Sequence, residues 1–100
     1  MIRLDRPVIV EGKYDKITLE NVIDALIIPT DGFGIFKNPE KTALIRAAAR
    51  EKGVIVMTDS DSAGAVIRAY LKKILGDTEI INVYVPELKG KERRKTKYSK

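Results

Sequence analysis

The sequence predicts an α/β domain, a three-layer α/β/α arrangement around a parallel sheet of about four strands. Two observations predict it. Short apolar runs alternate with amphipathic segments along almost the whole chain. The runs are apolar on both faces, as strands covered by helices on both sides are.

The elements follow in order. Pro7–Val10 (PVIV) is the first strand candidate. From about Tyr14 to Asp24 the pattern becomes helical, with Leu19, Val22, Ile23 and Leu26 on one face. Ala25–Pro29 (ALIIP) is the second strand, and TDGFGIFKN then supplies a loop rich in Gly, Asp and Asn. Asn38 and Pro39 read as a helix cap and first helical position, for a helix that runs to about Lys52 and ends at Gly53. Val54–Thr58 is the third strand. Ala63, Val66, Ile67, Tyr70, Leu71 and Ile74 repeat at helical spacing until Gly76 and Asp77 break it. Glu79–Val85 is the fourth strand, ended by Pro86. The expected organisation is one domain over residues 1–86 and a flexible basic tail over 87–100.

One hundred residues are enough for one domain with a real core. No apolar run is long enough to span a membrane, and the first residues lack the pattern of a secretory signal, so a cytoplasmic protein without membrane contact is expected. The chain has no cysteine and no histidine. Disulfides, thiolate nucleophiles, Cys/His zinc sites and Ser-His triads are thereby excluded. What remains is chemistry by carboxylates, lysines, hydroxyls and hard cations. The last twelve residues carry seven Lys or Arg and one Glu, while the rest of the chain is close to neutral. Lys89, Lys91, Arg93, Arg94, Lys95 and Lys97 are therefore candidate contacts to a polyanion, though the same charges serve equally as a solvated end.

In open parallel sheets, ligands bind beyond the carboxyl ends of the strands where the strand order reverses. With the strands in the order 2-1-3-4, that point lies between the first and the third. Glu11 follows the first strand, with Gly12, Lys13 and Asp15 close behind; Asp59, Ser60 and Asp61 follow the third. Carboxylates gathered on one rim repel one another unless a hard cation lies between them. Oxygen ligands on an open rim suit Mg²⁺ or Mn²⁺, which favours phosphate-ester chemistry. Lys13 is then placed to pair with a phosphate oxygen, as are Ser60, Ser62 and the free N–H groups of the following helix. Asp61 or Ser62 reads equally as an ordinary helix cap, and Gly12 and Gly64 as turn residues.

VIVEGKYD and, about fifty residues on, VIVMTDSDSAGAVIR together resemble the Toprim domain, the module shared by topoisomerases, primases and small nucleases. Glu11, Gly12 and Asp15 match its first motif; Asp59, Asp61, Gly64 and Arg68 match its second. The similarity covers about residues 7–85, and within the family the motifs are most like those of ribonucleases that mature 5S ribosomal RNA. It implies a Rossmann-like fold and Mg²⁺-dependent phosphodiester chemistry on nucleic acid, RNA more than DNA. Glu11 would act as general acid/base or metal ligand, and Asp59 and Asp61 would hold the metal. Ala65 departs from the pattern, since family members often carry an acid there. A module that binds nucleic acid or a protein partner without cutting it is the alternative. A receiver-like signalling domain fits less well, because Glu11 has no acidic neighbour and there is no fifth strand.

Overall fold

The computed structural model describes residues 1–59 and 62–85. Ser60, Asp61 and the basic tail, with all six of its candidate contacts, lie outside the described residues.

Four strands form the central sheet: β2 (Val8–Val10), β4 (Ile27–Pro29), β5 (Val54–Asp59) and β6 (Ile80–Val85). They are parallel and lie in the order β4-β2-β5-β6, so the reversal of strand order falls between β2 and β5. Side-chain alternation divides the core in two. Ile9, Ile28, Val54 and Val56 pack with Ile45, Ile67 and Leu71 on one face. Val8, Val10 and Ile27 pack with Leu19, Ile55 and Met57 on the other. Burying one such aliphatic side chain is worth about 1.5–3 kcal/mol, and both faces must be covered to gain it.

The helices supply that cover. α1 (Lys13–Glu20) lies against β2 and β4, whereas α2 (Pro39–Ala49) and α3 (Ser62–Leu75) cover the opposite face. α2 begins as its sequence dictates: the Asn38 side chain accepts the Lys41 N–H at 2.9 Å, and Pro39 occupies the first turn, where a missing N–H costs nothing. It buries Thr42, Ile45 and Ala49. α3 buries Ile67, Leu71 and Leu75 along one stripe and stops before Gly76, which has φ +58°.

Three segments depart from the expected elements. The first helix ends at Glu20, not Asp24. Asn21 turns the chain there, its side chain donating to the Ile17 carbonyl at 3.3 Å. Ile23–Asp24 forms β3, which pairs with β1 (Ile2–Arg3) in a separate two-stranded parallel sheet. Val22 and Leu26, expected on the buried helix face, are each 52% exposed. The Gly-rich segment after β4 is a 3₁₀ helix over Gly32–Lys37 that buries Ile35 completely. α2 also ends at Ala49, short of Lys52.

Gly53 closes the turn from α2 into β5 with φ +85°, and a Cβ there would sit 2.5 Å from the Glu79 carbonyl oxygen. Both the left-handed backbone and the close approach exclude a side chain. Gly53→Ala is expected to lower stability by about 2–4 kcal/mol, read as a reduced urea midpoint at unchanged slope. Beside this turn Lys52 donates to Asp5 at 2.7 Å. That hydrogen bond and the lysine charge hold the Asp5 carboxyl below its ordinary value. The pair is exposed, and what it adds to stability is lost as the pH falls through that lowered value.

Candidate active site

The site is built by the ends of β2 and β5. Val10 is level with Met57 in the register, so Glu11 emerges beside Thr58 and next to Asp59. The Glu11 carboxylate accepts the Asp59 backbone N–H through Oε2 at 2.7 Å. An acid from one strand end thus fixes the position of an acid from the neighbouring strand end. Both line a single cavity, together with Asp15.

The backbone under Glu11 is held from the other side. Its carbonyl oxygen accepts the buried Thr30 hydroxyl at 3.1 Å and the Gly32 N–H at 2.9 Å. Thr30 in turn donates its N–H to the Val10 carbonyl at 2.8 Å, continuing the ladder past the end of the strands. Asp31 between them adopts a left-handed conformation, φ +62°. Lys41 secures that turn, donating to the Asp31 carboxylate and the Pro29 carbonyl at 2.8 Å each.

A second tie acts on Asp59. Arg68, one turn into α3 from Gly64, donates through Nη1 to the Thr58 hydroxyl at 2.6 Å and to the Asp59 carbonyl at 2.9 Å. Its guanidinium lies over the Tyr84 ring, 4.6 Å from the centroid, which holds the long side chain in place. Gly64 is buried against the Asp59 carbonyl, and a Cβ at this position would overlap that oxygen. Strand end, helix start and arginine therefore form one packed unit.

The expected site residues separate by position. Glu11, Asp15 and Asp59 come together. Gly12 precedes α1 and donates its N–H to the Asp15 carboxylate at 3.1 Å, half of a capping box. Lys13 opens α1 as an exposed side chain and does not line the cavity. Gly64 and Arg68 act on the Asp59 backbone. Ser60 and Asp61 lie outside the described residues; of Ser62 only the backbone, at the start of α3, is described. Thr30, Gly32, Lys41 and Thr58 were not among the expected site residues, although a threonine ending each of two apolar runs was a visible signal.

The Toprim domain family matches residues 6–88 of this chain. The chain belongs to the Toprim family. Among its relatives, ribonuclease M5 of Borreliella burgdorferi is 35% identical over 81 residues, which cover 81% of this chain and 44% of that protein. Ribonuclease M5 of Fusobacterium nucleatum is 32% identical over 88 residues, 88% of this chain and 46% of that protein. Ribonuclease M5 of Clostridium botulinum reaches 42% over 64 residues, 64% of this chain and 34% of that protein. This Toprim chain spans less than half the length of these relatives. None of its described helices is long and apolar enough to cross a membrane.

The donor set suits a hard cation, because the carboxylates of Glu11, Asp15 and Asp59 offer oxygen and the chain holds no thiol or imidazole to favour a softer metal. Glu11 and Asp59 converge from adjacent strands onto one opening. Among the described residues no group of three acids is close enough to form a full metal cage. The pair therefore fits an ion such as Mg²⁺, which takes one or two protein carboxylates and fills its remaining positions with water or phosphate oxygens.

Proposed function

We propose that this chain is the catalytic module of a divalent-metal-dependent ribonuclease that cleaves phosphodiester bonds in structured RNA. The observation that carries the proposal is the meeting of Glu11 and Asp59, 2.7 Å from carboxylate to N–H, at the point where strand order reverses. The Toprim family supports phosphodiester chemistry, and the names of the relatives support RNA as its object. Motif similarity to the ribonucleases that mature 5S ribosomal RNA points to a folded RNA.

Glu11 and Asp59 would hold the cation, Mg²⁺ or Mn²⁺, with Asp61 as the third acid. The bound cation supplies Lewis-acid polarisation of a phosphate oxygen and charge stabilisation during in-line displacement. Glu11 would take a proton from attacking water as its oxygen bonds to phosphorus and the bond to the leaving oxygen breaks. Asp15 is occupied with capping α1 and adds negative potential to the rim. Lys13, exposed at the start of that helix, would make an outer contact with a phosphate, and the six basic tail residues would extend the same attraction.

The test is cleavage of labelled structured RNA, single-stranded RNA and DNA with Mg²⁺, with Mn²⁺ and with chelator. Asp59→Ala protein serves as the control. The expected result is metal-dependent cleavage of the structured RNA that the substitution removes. Equal inertness of both proteins on every substrate rejects the reading. It would favour the second one, a Toprim module that binds nucleic acid or a partner protein without cutting, for which Ala65 in the second motif is the specific indication.

A further inference from the structure

The carboxylates of the site line only part of the opening they share. Behind them is a cavity of about 290 Å³ whose apolar lining comes from Val10, Leu19 and Met57, with Thr18 at its edge. It exists because α1 covers β2 and β4 but not the outer half of the same sheet face. On that outer half Met57 is only half-buried, and Val83, its neighbour in β6, is 38% exposed.

Resting on the ribonuclease reading, we propose that this cavity seats one unstacked nucleobase of the RNA, next to the phosphate held at Glu11 and Asp59. Three features select this occupant. Among the described residues the charged side chains lining the cavity are Glu11, Asp15 and Asp59, all acidic, and a cation held by Glu11 and Asp59 leaves Asp15 uncompensated, so a second phosphate is disfavoured. A base is neutral, and its exocyclic amines can donate to carboxylates at the mouth. The cavity is continuous with the reaction site, because Glu11 and Asp59 line both. Its occupant must therefore be within one nucleotide of the scissile phosphate. Its volume of about 290 Å³ is just below the roughly 300–1,000 Å³ typical of ligand pockets, which suits a single ring system better than a stack. Folded RNA offers such bases at bulges, loops and ends.

The probe is a set of hairpin RNAs with a bulge, each carrying 2-aminopurine at one position, titrated with the full chain in Ca²⁺ and followed by fluorescence. Among the described residues no aromatic side chain lines the cavity to quench the probe. A base drawn out of the stack into it should therefore brighten several-fold at one position. Thr18→Trp should fill the cavity from the exposed face of α1, abolish the rise and weaken binding about tenfold, whereas Thr18→Ser should retain both. The loss of binding distinguishes exclusion of the base from quenching by the indole. Thermal midpoints of the two variants establish that both are folded.

A uniform response at all positions, or a rise that survives Thr18→Trp, overturns the proposal. Cleavage without the rise overturns it and leaves the ribonuclease reading intact. A rise without metal-dependent cleavage supports the base site and rejects the cleavage. Absence of binding rejects both. Self-association that Thr18→Trp abolishes would show the cavity to be filled by a second copy of the chain, and so overturns the assignment to a base.

Discussion

Glu11→Gln is expected to remove metal-dependent cleavage while leaving the chain folded. Glutamine keeps the size of the side chain and an oxygen that can still accept the Asp59 N–H, so the geometry between β2 and β5 should survive. What it loses is the negative charge and the ability to take a proton. General acid–base catalysis of this kind contributes about 10²–10⁴-fold, and weaker cation binding adds to the loss. Single-turnover rates measured across Mg²⁺ concentration separate the two contributions. If Glu11 acts mainly as a ligand, high Mg²⁺ recovers most of the rate. If it moves the proton, the deficit remains at saturation. An unchanged rate at every Mg²⁺ concentration would confine Glu11 to the structural role its hydrogen bond already shows. Glu11→Ala separates that role in turn, because it removes the acceptor as well and should lower the thermal midpoint where Glu11→Gln does not.

The central architecture was legible because its signals are local. Val8–Val10, Ile27–Pro29, Val54–Asp59 and Ile80–Val85 are each largely apolar runs bounded by turn residues, α2 carries a cap that marks its start, and α3 carries an apolar stripe that ends before Gly76. The misread segments depend on distant partners. β1 and β3 are two residues each and exist only because they pair with one another across about twenty positions. No periodicity can mark so short a strand. Val22, Ile23 and Leu26 continue the helical spacing of α1, yet Asn21 turns the chain and Ile23 is recruited to β3. In the Gly-rich segment Gly32, with φ +63°, hid a short helix whose purpose is to bury Ile35.

At the site, Glu11 and Asp59 were legible from two facts together, an acid at the end of a buried strand and the rule that such ends converge where strand order reverses. Residues that act through backbone groups were not. Thr30 and Gly32 hold the Glu11 carbonyl, and that role depends on where a chain nineteen residues away happens to pass. Arg68 was visible as a motif position, but its work on the Asp59 carbonyl follows from α3 packing close to β5, which composition does not reveal.

Gly64→Ala tests that close packing. The substituted Cβ would overlap the Asp59 carbonyl and come within 3.0 Å of Arg68 Nη1. The arginine can shift, but the carbonyl belongs to the last residue of β5 and is bonded to that same guanidinium. The expected result is outward displacement of α3 or rotation of the Asp59 peptide. Either one disturbs the end of β5 at Asp59, the residue whose N–H Glu11 holds. Overpacking of this kind costs about 1–3 kcal/mol of stability. Misplacement of a reacting group by about 1 Å can cost 10²-fold in rate. The rate at saturating Mg²⁺ should therefore fall far more than the urea midpoint implies, with most of the protein still folded. Arg68→Lys gives the complementary measurement. It keeps the charge but loses the planar group that lies over Tyr84 and aims Nη1 at both Thr58 and Asp59, and should give a smaller rate loss at nearly unchanged stability. If both variants cleave at the wild-type rate, the α3 packing serves the fold alone and the position of Asp59 is set by Glu11.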